Sequence, residues 1–177
     1  MRPKIELVAH DPAWATIAQV EAERLAAVLG ANHLDVQHIG STAIPGLKAK
    51  PIIDLLPRVR SLNVLDRQAD AIEALGYQWW GEFGIPGRRF FTRDEAVTGA
   101  RLFNAHAFEF GAAEIDRHLA FRDYLRAHPH EARMYEQEKQ RAAMLSPDDV
   151  LAYNKATSPW IKACEARALI WWRRYRD

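Results

Sequence analysis

The chain has 177 residues, 49% of them hydrophobic and 27% charged, which is typical of a folded globular protein and excludes an intrinsically disordered chain. Its 24 basic and 23 acidic residues leave a net charge of +1, so the overall charge does not indicate a protein that binds polyanions. The length predicts one domain, and a single cysteine, Cys164, excludes an internal disulfide framework.

The sequence predicts no export signal at the start of the chain. Residues 1–14 lack the apolar stretch that a signal peptide needs, and no run of about 18 apolar residues occurs in the sequence. The single cysteine suits a reducing compartment. We therefore predict a cytoplasmic protein that does not span a membrane.

The first third of the chain predicts one helix and two strands. Asp11 followed by Pro12 is a helix-start signal, and apolar residues at helical spacing continue to Gly30. Residues 34–39 alternate and residues 51–56 are mostly apolar, so both segments are predicted to be strands. The stretch between them is then a loop that joins two strands of a sheet.

The middle of the chain predicts a helix followed by three strands. Residues 61–76 have helical spacing that ends at a glycine. Segments that favour β-structure follow at 77–80, 88–92 and 101–110, separated by turn-forming residues. These three strands are predicted to form an antiparallel meander that continues the sheet.

The last third of the chain is predicted to be helical. Two helices are expected over 112–128 and 130–144. A capping pattern at Ser146 predicts the start of another helix, and Ser158 with Pro159 starts or kinks the last one.

Together these elements predict an α+β protein of one domain. Residues 1–111 form a core with a mixed or antiparallel sheet and helices, and residues 112–177 form a C-terminal helical layer.

The loop after the first strand has the composition of an anion-binding turn. Gly40, Ser41 and Thr42 follow the strand directly, so their backbone N–H groups and hydroxyls can turn toward a negative charge. Lys48 and Lys50 can add positive charge. The spacing is not that of a nucleoside-triphosphate P-loop, because the second glycine comes one place late and a leucine replaces the required lysine. The alternative is a tight loop whose hydroxyls only cap backbone groups.

Asp54 is the only acid in the apolar strand that follows the loop. Strand alternation places Ile52, Asp54 and Leu56 on one face of the sheet. An acid in such a run needs compensation, because burying an unpaired carboxylate is costly. Asp54 is therefore either a functional group or a buried acid that pairs with a lysine or with backbone donors.

Four motifs resemble those of the GrpB family: HIGSTAIPGLKAKPIIDLL, GIPGRRFF, NAHAFEFG and RHLAFRDYLRAHP. The glycine–serine pair after one strand and the acid on the next also resemble the nucleotidyltransferase fold of polymerase-β-like enzymes. The resemblance extends from about Asp11 to about Ile161. It implies a nucleotidyltransferase-like fold and a phosphate-containing ligand. The ligand is either a nucleotide or, because a similar domain is fused to dephospho-coenzyme A kinase in some bacteria, a coenzyme A-like molecule.

The resemblance also implies a metal site, which this sequence holds only in part. Nucleotidyl transfer with two metal ions uses carboxylates two residues apart on a strand, and Leu56 stands where the second is expected. Asn104 and His106 share one face of their strand and are similar to a paired histidine motif of the family. One aspartate, one asparagine and one histidine make a poor ligand set for two magnesium ions. The alternative is one divalent ion, Mg²⁺ or Mn²⁺, held by Asp54, His106 and His38.

Three further candidates come from strand alternation and from the resemblance. Arg88 and Arg89 begin a strand and point to opposite faces, so one of them is expected to meet a phosphate. Which arginine does so stays open, and a surface ion pair is the alternative. Lys139 matches a family position and is predicted either to close over the ligand or to tie a helix to the sheet.

Three functions follow from these features. The first is a degenerate nucleotidyltransferase that binds a phosphate-bearing ligand, with Asp54 and His106 as catalytic residues and with Ser41 and Lys50 positioning the phosphate. In this degenerate nucleotidyltransferase, His106 is either a second metal ligand or a general base. The second is a non-catalytic binding or scaffold domain of the same fold. The third, which the near-zero net charge disfavours, is nucleic-acid binding through the arginines of the C-terminal stretch WWRRYRD.

Overall fold

The structure is a computed structural model that describes residues 5–176, with side chains through residue 175. Its strands are β1 (His33–Ile39), β2 (Ile53–Val59), β3 (Tyr77–Trp79), β4 (Arg88–Asp94) and β5 (Arg101–Glu109). Its helices are α1 (Ala13–Leu29), α2 (Leu62–Arg67), α3 (Ala69–Glu73), α4 (Ala113–Ala127), α5 (Pro129–Leu145) and α6 (Val150–Arg176). Within the described residues, no helix has both the length and the apolar composition needed to cross a membrane.

The five strands form one mixed sheet in the order β1-β2-β5-β4-β3. The pairs β1–β2, β4–β5 and β3–β4 are antiparallel, whereas β2 and β5 are parallel. The predicted α+β class with a mixed sheet is confirmed. In the parallel pair, Asp54 of β2 and Asn104 of β5 are register partners, so the two side chains lie side by side on one face.

Each face of the sheet is covered by its own layer of helices. α1 and α3 pack on one face, around a cluster that includes Leu25 and Phe91. On the other face, Leu56 of β2 packs with Phe108 of β5 and Leu119 of α4. α4, α5 and α6 pack on one another, and the loop between β1 and β2 contributes buried side chains to that cluster. The loop is therefore held between the sheet and the C-terminal helices.

The helix predicted over residues 61–76 is instead two short helices, α2 and α3, with a break at Gln68. The amide group of Gln68 donates hydrogen bonds to the carbonyl oxygens of Val28 and Leu29, at 3.3 and 3.0 Å. These bonds tie Gln68 to the end of α1, and its backbone is not helical, with φ of −96° and ψ of 1°. A contact with a distant helix thus ends α2, which local periodicity could not indicate.

The two C-terminal helices predicted from Ser146 and from Ser158 are one helix, α6, which continues through Pro159. Proline removes one backbone hydrogen bond and usually ends or bends a helix. Tyr153 before the proline and Cys164 after it are both buried. Packing on both sides of the proline keeps the helix continuous, because most helical stability in a folded protein comes from such packing.

Candidate functional site

A cleft of about 340 Å³ opens between the sheet and helices α5 and α6. Predicted site residues from both walls line it: Gly40, Ser41, Lys50, Asp54, His106 and Lys139. Two other cavities, of about 540 and 560 Å³, lie behind the β1–β2 loop and beside the end of α6, and neither contains any of these six residues. The cleft over Asp54 is therefore the candidate site.

Gly40 brings the loop into direct contact with Asp54. It has φ of 73°, and a Cβ atom added to it would lie 2.5 Å from Asp54 Oδ2, so only glycine fits there without strain. One turn of 3₁₀ helix follows, and Ser41 Oγ donates a hydrogen bond to the Tyr135 hydroxyl at 3.3 Å. The loop is thus fixed against the sheet on one side and against α5 on the other.

The Asp54 carboxylate contacts polar groups of the neighbouring strand, and the charge of Lys50 acts on it without a salt-bridge contact. Asn104 Nδ2 donates to Asp54 Oδ1 at 2.9 Å, and His106 Nε2 lies 3.6 Å from the same oxygen. Arg101 fixes the orientation of the Asn104 amide, because it donates a hydrogen bond to Asn104 Oδ1 at 3.0 Å. The Asp54 side chain keeps 28% of its surface exposed, so the carboxylate is available to a ligand.

His106 is held by an arginine on the other side of its ring. Arg88 Nη1 lies 3.4 Å from His106 Nδ1. A guanidinium group can only donate, so Nδ1 accepts and the proton of the neutral ring is on Nε2, which faces Asp54. Arg88 is itself buried and donates to the carbonyl oxygen of Phe83 at 2.7 Å. Arg88 therefore orients the histidine that faces the acid.

Arg89 lies on the opposite side of the sheet from Arg88. Its Nη2 donates to Asp66 Oδ2 of α2 at 2.8 Å, and Glu82 lies 3.7 Å from its Nη1. The structure thus distinguishes the two arginines that the sequence left equivalent. Arg88 does not line the cleft but lies against His106, which does, and Arg89 forms the ion pair that was its alternative.

Two lysines supply the positive charge of the cleft. Lys139 is 3% exposed, and its ammonium group donates to the carbonyl oxygen of Lys48 and lies 4.7 Å from the centre of the Tyr135 ring. Lys50 Nζ lies 5.0 Å from the centre of the Tyr153 ring. Burial lowers the pKa of both lysines, that of Lys139 to about 7. Among the described side chains, neither ammonium group is in salt-bridge contact with a carboxylate, although the charge of Asp54 acts on Lys50 and that of Glu136 acts on Lys139.

Two of the predicted site residues bond to each other away from the cleft. His38 Nε2 lies 2.9 Å from Thr42 Oγ1, and Thr42 is buried. His38 is the register partner of Leu55, and adjacent strand positions face opposite sides, so His38 and Asp54 lie on opposite faces of the sheet. Burial lowers the pKa of His38 to about 4. This pair therefore braces the loop from within the protein.

The donor atoms around Asp54 do not fit the divalent ion that the sequence analysis assigned to Asp54, His106 and His38. A divalent cation needs several lone pairs, whereas Asn104 and His106 present N–H groups toward the carboxylate. Among the described residues, no group of three or more His, Cys, Asp or Glu side chains is placed to hold a metal ion. Leu56, at the place of a second acid, is fully buried in the core.

Helix α4 fixes the loop from behind. Arg122 donates to the carbonyl oxygen of His38 at 3.1 Å, and Arg126 donates to that of Ala43 at 2.8 Å. Asp123 lies between the two arginines and accepts from Arg122 Nε at 2.7 Å. The motif RHLAFRDYLRAHP thus positions the loop and does not itself line the cleft.

Sequence reasoning missed several groups of the site. Tyr135 and Tyr153 form part of the helical wall, and no local pattern distinguishes them from other helical aromatics. Phe90 could have been found, because it lies two residues after Arg88 on the predicted strand and therefore shares its face. Arg101 orients Asn104 from the start of β5, next to a register irregularity that alternation does not predict.

A family model described as GrpB protein matches residues 4–167. The UPF0157 protein YqkA of Bacillus subtilis is 40% identical over 95% of this chain and 48% of its own length, so the chain spans about half of that relative. The UPF0157 protein PA4798 of Pseudomonas aeruginosa is 38% identical over 94% of this chain and 68% of that protein. A dephospho-CoA kinase of Mycolicibacterium paratuberculosis is 30% identical over 96% of this chain and 47% of the kinase.

Two solved structures are also similar. The crystal structure of the conserved protein GrpB from Enterococcus faecalis is 38% identical, with a TM-score of 0.88, and covers 97% of this chain and 100% of that chain. The structure of Cid1 with its short product ApU is 12% identical, with a TM-score of 0.52, and covers 74% of this chain and 41% of Cid1. At that identity the likeness to Cid1 shows only a shared nucleotidyltransferase-like fold.

Proposed function

Since the chain belongs to the GrpB family and has a nucleotidyltransferase-like fold, we propose that the cleft over Asp54 binds a small phosphate-bearing ligand, either a nucleotide or a coenzyme A-like molecule. The observation that carries this proposal is the pair Lys50 and Lys139, which share one cleft while neither ammonium group is in salt-bridge contact with a carboxylate of the described residues. A buried charge needs compensation, and a phosphate group can accept charge-assisted hydrogen bonds from two ammonium groups.

The size and polarity of the cleft support a ligand of this class. Its volume of about 340 Å³ is near the lower end of the roughly 300–1,000 Å³ of small-molecule sites, so it suits a mononucleotide or one end of a larger molecule. The lysines offer donors to phosphate, and Asp54 offers an acceptor to a hydroxyl or amino group. The similarity to a protein named dephospho-CoA kinase favours testing coenzyme A beside nucleotides.

We propose binding rather than nucleotidyl transfer as the function. Among the described residues, Asp54 is the only carboxylate that lines the cleft, and transfer with two metal ions needs at least a second one. A degenerate nucleotidyltransferase is the second candidate, because the glycine–serine turn and Asp54 lie together as that fold requires.

Nucleic-acid binding through the C-terminal arginines has less support. Arg173 and Arg174 are exposed at the end of α6. Thr157 of the same helix lines the cleft, and the rise of an α-helix puts Arg174 about 25 Å farther along the axis. The side chain of Arg176 and all of Asp177 lie outside the described residues.

Isothermal titration with ATP and with coenzyme A tests the proposal. We expect one of them to bind, and Lys50→Met to weaken that binding at least about tenfold, because a hydrogen bond to a charged group contributes about 1.5–3 kcal/mol. Lys155→Met is the matched control, since Lys155 is exposed on α6 and does not line the cleft. The proposal is wrong if neither ligand binds or if both variants bind like the wild type.

The affinity is expected to fall as the pH rises above about 7. Burial in the cleft lowers the pKa of Lys139 to about 7, so free protein loses this charge above neutral pH. A bound phosphate raises that pKa again, so binding takes up a proton and weakens by at most about tenfold per pH unit. Titrations between about pH 7 and pH 9 measure the slope, and phosphate groups, with a second pKa of about 6, are already mostly ionised there. A slope that persists unchanged in Lys139→Met would assign it to another group.

A further inference from the structure

Hydrogen-bond donors occupy the space beside Asp54 in which a bound cation would have to lie. Asn104 Nδ2 lies 2.9 Å and His106 Nε2 lies 3.6 Å from Asp54 Oδ1. Behind them, Arg101 bonds to Asn104 and Arg88 lies against His106, at 3.0 and 3.4 Å. Two guanidinium groups are thus linked to the carboxylate, each through one intervening side chain.

From this geometry we infer that Asp54 contacts its ligand directly, with no divalent metal ion between the carboxylate and the ligand. The identity of the ligand rests on the proposed function. The inference adds a requirement on the chemical groups that this ligand carries. Besides its phosphate, the ligand must carry a hydroxyl or amino group that donates a hydrogen bond to Asp54.

Turning the Asn104 amide around, or moving the imidazole proton of His106 to its other nitrogen, would cost free energy. Turning the Asn104 amide would bring its oxygen to Asp54 but would set its NH₂ group against the Arg101 guanidinium, donor against donor. Moving the imidazole proton of His106 to Nδ1 would set an N–H group against Arg88 in the same way. Neither residue can therefore offer a lone pair to a cation at Asp54 while its arginine stays in place.

The carboxylate keeps acceptor capacity for a ligand. Its two oxygens have about four lone-pair sites, and Asn104 and His106 face only one of the oxygens. The other oxygen lies beside Gly40 at the edge of the cleft. Because the Asp54 side chain is 28% exposed, a donor group of the ligand can reach the carboxylate from the cleft.

Binding of Mn²⁺ alone, followed by electron paramagnetic resonance, tests the inference without any other ligand. We expect no saturable binding to the wild type and at least about tenfold tighter binding to Asn104→Asp. That variant sets two carboxylates on adjacent strands about 4.8 Å apart, as a divalent ion requires. Asn154→Asp is the matched control, because it adds the same charge to the same cleft away from Asp54 and should bind like the wild type.

A second measurement uses the ligand itself. Titration of the wild type with ATP or coenzyme A is expected to give the same affinity in EDTA and in Mg²⁺, and Asp54→Asn should weaken it at least about tenfold in both. Saturable Mn²⁺ binding to the wild type, no gain in Asn104→Asp, or ligand binding that EDTA abolishes would each overturn the inference. If no ligand binds at all, the proposed function fails, while the Mn²⁺ result still decides whether this site holds a metal.

Discussion

Replacing Gly40 by alanine is expected to lower the free energy of unfolding by about 2–4 kcal/mol and to abolish ligand binding. An unfavourable backbone conformation and a steric clash both contribute to the loss at this position. The backbone has φ of 73° and ψ of −170°, a conformation that residues other than glycine rarely adopt. The new Cβ atom would also lie 2.5 Å from Asp54 Oδ2 and 3.1 Å from Asp54 Cβ, so either the loop or the carboxylate must move.

Gly46→Ala in the same loop separates the cost of the backbone conformation from the cost of the clash with Asp54. Gly46 has φ of 77° but no atom within 4 Å of an added Cβ, so alanine there should cost only about 1 kcal/mol and leave binding intact. Urea unfolding measures the stabilities, and titration with ATP or coenzyme A measures the binding. Equal losses in the two variants would show that the contact between Gly40 and Asp54 does not constrain the site.

Replacing Lys139 by methionine is expected to stabilise the protein by about 1–3 kcal/mol while weakening ligand binding at least about tenfold. Lys139 is almost fully buried, and its folded-state pKa of about 7 is below its ordinary value of 10.5. Charging it therefore costs free energy in the folded state. Methionine removes that cost, and it also loses the hydrogen bond to the carbonyl oxygen of Lys48, which offsets part of the gain.

The size of this effect depends on pH in a way that a packing change would not produce. The unfolded chain binds a proton at this lysine up to its ordinary pKa, whereas the folded chain releases it above about pH 7. The gain from methionine should therefore be full below about pH 7 and fade as the pH rises toward 10.5. Thermal unfolding of both proteins near pH 6 and near pH 9 measures it. A loss of stability at both pH values would show that Lys139 is a structural residue.

The parts of the site that lie on strands could be predicted from the sequence. Asn104 and His106 alternate on one strand, and Gly40 with Ser41 directly follows another, so local geometry indicates their faces. The structure places these residues and Asp54 around one cleft. The resemblance to the GrpB family supplied the pairing of the strands that periodicity does not contain, and the family model confirms that resemblance.

The remaining features depend on contacts between distant elements. The direction of Arg88 was not predictable because either arginine satisfied alternation until the strand register was known. His38 was predicted as a metal ligand, yet it faces the other side of the sheet and bonds Thr42. The roles of Lys139 and Tyr135 depend on how α5 packs against the loop, which no local pattern specifies.

A crystal structure of the protein with ATP or coenzyme A tests the central claim most directly. We expect density for a phosphate group within about 3 Å of the ammonium groups of both Lys50 and Lys139, with a donor group of the ligand on Asp54. A ligand bound in one of the other two cavities would contradict this account. So would a cleft that holds only water when the ligand saturates the protein.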